Sequence, residues 1–288
     1  MQTFSHTLST LTVIDGQVLC QDGTLFDRVA YSHFKYGFLP PAVQYGQQLA
    51  ALIADQLFEV AGTEPITIVS APYKYLPTAS HAVAQAITAE LSHKAVMNGQ
   101  EPPVLVPFFK SRVGSSNYAK SSEEYRQKSL ATLGLRIDKS RVRGAHVVVV
   151  DDIRITGSAE KATAQYLESL QPASIWYLHA ARLEELLGIA YPGLEDELNQ
   201  TVAHTPEVIL QQVAAGEFQL NTRILRLILE TENYASFDWF VSAAPRHLLE
   251  SIHQAALGNG PAYYEKYRTN LELVHFQLGL LDPRSVFS

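Results

Sequence analysis

The chain has a single cysteine, Cys20, among 288 residues. One thiol excludes an intramolecular disulfide framework and a cysteine-based zinc site, and it fits a reducing compartment. The ten histidines are dispersed, with no pair at the H-x-x-x-H spacing that sets two metal ligands on one helix face. No run of 18 apolar residues is present, so no transmembrane helix is expected. Met1 to His6 offer neither a basic n-region nor an apolar h-region, so no secretory signal is expected. The expectation is a soluble, cytoplasmic protein. Gly-x-Ser-x-Gly and Gly-x-x-x-x-Gly-Lys-Ser/Thr are both missing, which removes the nucleophile elbow and the P-loop. Positive charge is the minority: 22 Lys and Arg face 29 Asp and Glu, a net of −7. That excludes a whole-surface duplex nucleic-acid binder, because neutralising phosphates needs clustered Lys and Arg. A local basic pocket for a small anion remains open.

What is present is ordinary globular composition, 47% hydrophobic and 18% charged. Its length suits one large domain or two small ones. Residues 11–20 are β-rich around Asp15-Gly16, a hairpin turn pair. Residues 41–61 carry helical apolar spacing with Pro41 near the start. Residues 65–71 read as a buried strand, 77–95 as a helix, 103–109 as a third strand. Residues 146–150 (HVVVV) form the strongest strand, followed by a helix over about 158–170 and a strand over 174–180. Strands alternating with helices at these lengths predict an α/β fold, an open parallel sheet flanked by helices. An N-terminal β-hairpin precedes it. From about residue 184 the pattern is mostly helical, giving a core over 1–183 and a C-terminal region over 184–288.

The chemistry concentrates in Val147-Val148-Val149-Val150-Asp151-Asp152-Ile153-Arg154-Ile155-Thr156-Gly157-Ser158-Ala159. A β-branched strand ends in two carboxylates, and a Thr-Gly-Ser turn opens a helix. Open parallel sheets bind ligands at the carboxyl ends of their strands. A helix N-terminus there offers free N–H groups and the positive end of a dipole, which suit a phosphate. Gly157 lets the backbone come close to phosphate oxygens. Adjacent carboxylates accept hydrogen bonds from vicinal sugar hydroxyls, or approach a hydrated Mg²⁺. Phosphate on one side and diol on the other describe a ribose 5-phosphate site.

At these residues the sequence resembles the signature of type I phosphoribosyltransferases. The resemblance implies that Asp151 and Asp152 hold the ribose hydroxyls of phosphoribosyl pyrophosphate (PRPP), with Mg²⁺ bound through PRPP beside them. It implies that Ile155, Thr156, Gly157, Ser158 and Ala159 hold the 5-phosphate. Three positions depart from the family pattern. Ile155 stands where a hydroxyl or acidic residue is usual, Ala159 where Thr or Ser is usual, and Arg154 replaces an apolar residue. In purine-salvage members the position of Ile155 is an Asp near the base, so a hypoxanthine/guanine-type enzyme is disfavoured.

Ala71-Pro72-Tyr73-Lys74-Tyr75-Leu76-Pro77 follows the first core strand, where this fold holds pyrophosphate on turned-in N–H groups. Tyr73 and Lys74 are therefore candidate pyrophosphate ligands. This loop, and Phe34-Lys35-Tyr36-Gly37, resemble the competence- and stress-associated branch of phosphoribosyltransferase-like proteins. Lys35 itself reads as a surface residue beside a packed Tyr36. Residues 110–143 hold nine basic side chains against three acidic ones, a net of +6. The resemblance makes this segment a lid over the pyrophosphate, with Lys110 and Arg112 as ligands. Such a lid would exclude water from a ribosyl centre that hydrolyses easily. His81, His146 and His179 read as structural histidines. The C-terminal region has 14 acidic and 6 basic residues. It is a candidate for packing, for a hood over the acceptor, or for homodimer contacts, and a poor one for nucleic acid. The leading expectation is a PRPP-dependent phosphoribosyltransferase in nucleotide metabolism, with an unidentified base-like acceptor. The rivals are a non-catalytic PRPP or nucleotide sensor and an enzyme cleaving a ribosyl bond of a nucleotide.

Overall fold

The structure is a computed structural model that describes residues 1–111, 134–191 and 193–280. Its strands in chain order are β1 (Gln2–Ile14), β2 (Gln17–Cys20), β3 (Ile66–Ser70), β4 (Val104–Leu105), β5 (Phe109–Lys110), β6 (Leu135–Arg136), β7 (His146–Arg154) and β8 (Ser174–Leu183). Six of them form one sheet in the order β2-β1-β8-β7-β3-β4. Every pairing in it is parallel except β1 with β2. Short β5 and β6 pair separately and antiparallel. This is the α/β architecture expected from the alternating pattern.

The central strands read as unbroken apolar runs because both sheet faces are covered. Val148 and Val150 pack with Ile53, Leu57, Val83 and Ile87, which come from helices α2 (Leu39–Ala61) and α3 (Ser80–Met97). Val147 and Val149 pack on the opposite face with Phe108, Ile175, Tyr177 and Leu167, the last from the helix Ser158–Glu168. Pro sits in the first turn of α2, where its missing N–H costs nothing.

One expectation is extended and one is corrected. The N-terminal hairpin exists, with Asp15 and Gly16 at φ 50° and 75° as a mirror-image turn requires. Its first arm, however, is a 13-residue strand that pairs in parallel with β8 from Gln2↔Ser174 to Leu11↔Leu183. It is therefore a core strand. The single strand expected over 103–109 is split into β4 and β5. Pro107 has no N–H to give a sheet ladder. Past it the chain leaves β3 and bonds the loop at Tyr73 instead.

The short helix α1 (Arg28–Lys35) is capped by Asp27, whose carboxylate accepts from the Ala30 N–H at 2.8 Å. The helices after β8 build a second apolar core around Ile224, Leu225, Phe237, Phe240, Ile252 and Leu271. Tyr36 and Leu76 from the first half of the chain pack against it. The helix Leu194–Asn199 belongs instead to the sheet core, through Leu194 and Leu198. No described helix is long and apolar enough to cross a membrane.

Candidate functional site

The register of three strands makes the site. β3 stops at Ser70, opposite Val150. β7 continues through Asp151 and Asp152 to Arg154, still flanked by β8 as far as Arg182. The two carboxylates thus emerge at the carboxyl end of the sheet with no β3 rung beside them, where open parallel sheets leave a crevice. A cavity of about 290 Å³ lies there, lined among others by Asp151, Asp152, Thr156, Ser158, Lys35 and Lys110. That volume is on the scale of a small-ligand pocket.

The two aspartates differ although they are adjacent. Asp152 has both oxygens engaged. Its Oδ1 accepts from the Ile153 N–H at 2.7 Å, and its Oδ2 accepts from the Lys35 ammonium. Asp151 uses Oδ1 for the Asp152 N–H at 2.9 Å, and no hydrogen bond to its Oδ2 occurs among the described residues. Burial, and then the charge of Asp152, raise the Asp151 carboxyl to about 7. Lys110 reaches the same cavity. Burial lowers its pKa, against the opposing pull of Asp151.

The turn after β7 is built for close approach. Gly157 has φ 70°, and a Cβ there would stand 3.0 Å from the Arg154 guanidinium. Any other L-residue would be strained and would push on Arg154. Ser158 begins the following helix, and its Oγ shares a hydrogen bond of 2.8 Å with the Thr156 Oγ1. The departure at Arg154 places a cation beside the turn, ion-paired with Glu160 at 3.0 Å. Glu160 also lies 3.8 Å from the His179 ring. Burial, and then Arg154, push His179 down to about 4, so the ring is neutral at pH 7.

Asp151, Asp152, Ile155, Thr156, Gly157, Ser158, Ala159 and Lys110 all line the one cavity. The side chain of Ile155 is 6% exposed and packs in the sheet core, so that position supplies backbone to the turn and no hydroxyl or acid. The loop after β3 is placed differently from expectation. Ala71 and Pro72 line the cavity, but Tyr73 and Lys74 do not. The Tyr73 N–H is spent on the Phe108 carbonyl at 3.0 Å, and its ring packs edge-on against Phe109 and His81. The Lys74 ammonium donates to the Asn259 carbonyl at 2.5 Å. Tyr75 lies against Gly258 so closely that a Cβ could not fit between them. Packing against the C-terminal helices therefore claims this loop. Arg112 and most of the expected lid fall outside the described residues.

Sequence reasoning missed Lys35, Glu195, Thr78, Glu160 and His179, all of which line the cavity. Lys35 was expected at the surface but is only 5% exposed. The signal in the sequence was the Phe34-Lys35-Tyr36-Gly37 stretch, whose resemblance to the family marked the segment without marking Lys35 itself.

Oxygen donors are what Mg²⁺ takes, and Asp151 with Asp152 offers them. The residues fit a hydrated ion that arrives on a phosphate ligand better than a protein cage. No group of three or more His, Cys, Asp or Glu able to hold a metal occurs among the described residues.

A family model described as PRTase ComF-like matches residues 17–274. No match was found among the curated proteins. Among solved structures the chain is similar to a hypoxanthine phosphoribosyltransferase from Staphylococcus aureus, at 13% identity over 50% of this chain and 76% of that one, with a TM-score of 0.32. It is similar to the hypoxanthine-guanine phosphoribosyltransferase from Schistosoma mansoni at 15% identity over 51% and 68%, TM-score 0.32. The hypoxanthine phosphoribosyl transferase from Trypanosoma cruzi aligns at 17% identity over 52% and 68%, TM-score 0.33.

Proposed function

The chain belongs to the ComF-like phosphoribosyltransferase family, and from that premise we propose that it transfers the phosphoribosyl group of PRPP to a base-like acceptor. The observation that carries this reading is one cavity holding a strand-end carboxylate pair beside a glycine turn that opens a helix. Asp151 and Asp152 accept hydrogen bonds from the ribose 2- and 3-hydroxyls and so fix the ring. The backbone from Ile155 to Ala159, with the Thr156 and Ser158 hydroxyls, takes the 5-phosphate at the helix N-terminus. Lys110 and Arg154 line the same cavity and add positive charge near the bound anion. With the ring held at both ends, an acceptor nitrogen attacks C1, the C1–O bond breaks, and pyrophosphate leaves with the electron pair. Mg²⁺, when bound through the pyrophosphate, neutralises charge on that leaving group.

Ile155 supports a second reading, a PRPP sensor that does not turn over. A buried isoleucine cannot take a proton from an incoming base, so that step would need another residue or none. Calorimetry with PRPP and Mg²⁺ tests both readings at their shared root. The expected result is binding by the wild type and a loss of at least about a hundredfold for Asp151→Asn combined with Asp152→Asn, as expected for two charge-assisted contacts. Unchanged binding by that variant sinks both. A screen of bases for pyrophosphate release then separates the enzyme from the sensor.

A further inference from the structure

Two residues that line the cavity, Lys35 and Thr78, reach it on segments whose carbonyls their own secondary structure leaves open. Lys35 closes α1, and the last carbonyls of a helix have no partner within it. Leu76 and Pro77, just before Thr78, lie in the loop after β3 outside any helix or strand. Buried carbonyls of this kind need donors from elsewhere. Both sets are met by the start of one helix, Thr222–Leu229. Asn221 caps that helix, its Oδ1 accepting from the N–H groups of Arg223 at 2.9 Å and Ile224 at 3.1 Å. Those two donors fix which end of the amide is oxygen, so Nδ2 faces and donates to the Lys35 carbonyl at 3.2 Å. Thr222 donates its N–H to the Pro77 carbonyl at 3.1 Å and its hydroxyl to the Leu76 carbonyl at 2.9 Å. Asn221 is buried, and Ile224 and Leu225 behind it are packed in the second apolar core. Just upstream, the Gln219 N–H donates to the Gly37 carbonyl at 2.8 Å, and a Cβ on Gly37 would collide with the Gln219 carbonyl.

We propose that Asn221 and Thr222 are positioning residues for the strand-end site, through which the C-terminal helical core sets Lys35 and Thr78. Neither of them lines the cavity, so both act through the residues they hold. Lys35 passes the constraint on, because its ammonium donates to Asp152 Oδ2 and, at 3.3 Å, to Glu195 Oε1. Asp152 is thereby fixed in one orientation before any ligand arrives. Residues 184–288 are then the frame of the site and not a module appended to it. The effect on PRPP rests on the reading above; the positioning of the two segments does not.

The test is hydrogen exchange by mass spectrometry on the full, ligand-free chain, followed by calorimetry with PRPP and Mg²⁺. Asn221→Ser keeps a good helix cap but is too short to reach the Lys35 carbonyl as well. Thr222→Val is close in shape and lacks the hydroxyl. Exchange is expected to quicken about three- to tenfold over residues 33–39 in Asn221→Ser and over 71–79 in Thr222→Val, the worth of a neutral hydrogen bond. Residues 224–229 are expected to keep the wild-type rate, and PRPP affinity to fall by a similar factor in each variant. Thr222→Ser restores the hydroxyl and is expected to restore both readouts. Asn233→Ser is the control, since Asn233 caps a different C-terminal helix through the Ser236 N–H. The proposal is overturned if either variant exchanges like wild type over its own segment, or if the quickening spreads equally through 224–229. It is equally overturned if Asn233→Ser reproduces the effect, or if PRPP affinity is unchanged where exchange has quickened. Should Asn221→Ser fail to fold, Thr222→Val and Thr222→Ser decide alone. A wild type that binds no PRPP would remove the proposed function and leave the exchange rates to judge the positioning.

Discussion

Two turns leave adjacent strands at the same end of the sheet, and they have opposite fates. The turn after β7 keeps its polar groups toward a cavity, with Gly157 in a left-handed conformation and the Thr156 hydroxyl bonded within the turn, to the Ser158 hydroxyl and to the Ser158 N–H. The turn after β3 spends its groups on packing. Its Tyr73 N–H goes to Phe108, its Lys74 ammonium to Asn259, and Tyr75 covers Gly258. A loop placed correctly in the topology is thus not automatically a ligand loop. The difference lies in whether another element has already taken its donors.

The largest effect expected from breaking this contrast is at Gly157. Gly157→Ala forces a Cβ into a left-handed conformation and against the Arg154 guanidinium. That strain is on the order of 2 kcal/mol, or about 30-fold in PRPP affinity if it is released by distorting the turn. Calorimetry reads the affinity, and a thermal melt shows how much of the cost falls on folding.

An intermediate effect is expected from pH. With Asp151 raised to about 7, its protonated form dominates at pH 6 and its ionised form at pH 8. Hydrogen bonds from ribose hydroxyls favour the ionised form, so PRPP affinity should rise about tenfold from pH 6 to pH 8. The stability contribution runs the other way. A carboxyl whose pKa is raised by folding favours the folded state below its unfolded pKa, and loses that contribution as pH rises through about 7. The same scan on Asp151→Asn isolates this from titration of the phosphates, and a profile identical to wild type would contradict the assignment.

The smallest effect on binding is expected at Lys74. Lys74→Met should change PRPP affinity less than about threefold while lowering stability by about 1–2 kcal/mol, the worth of a charge-assisted hydrogen bond. Loss of binding at unchanged stability would return this residue to the ligand loop and erase the contrast between the two turns.

The parts of the molecule that could be read in the sequence are those set by local pattern. Four valines running into Asp151 and Asp152, followed by Thr156-Gly157-Ser158, specify a buried strand, its end and the helix start within a dozen residues. The long first strand was hidden because its partner is 172 positions away, as Thr10 and Arg182 show, and its sequence mixes polar and apolar residues. Lys35 was hidden for the same reason, since its partners are separated from it by 117 and 160 positions. Nothing local distinguishes a lysine that ends a helix in water from one that ends it on two carboxylates. The loop after β3 is placed less completely. Its composition and place in the sequence fit a ligand loop, while the bonds of Tyr73 to Phe108 and of Lys74 to Asn259 depend on segments that the local pattern does not encode.

The parallel pairing of β1 with β8 also bears on how the chain is assembled. β1 is synthesised well ahead of the strand it must lie beside, and only β2 is at hand to pair with it at once. Until β8 appears, most of β1 is an unpaired edge, and closing so long a loop is slow. A nascent chain halted before residue 174 would expose that edge to neighbouring copies. The step that seats β1 comes late and completes the flank of β8 beside the strand-end crevice, so ligand binding should develop with the last phase of folding.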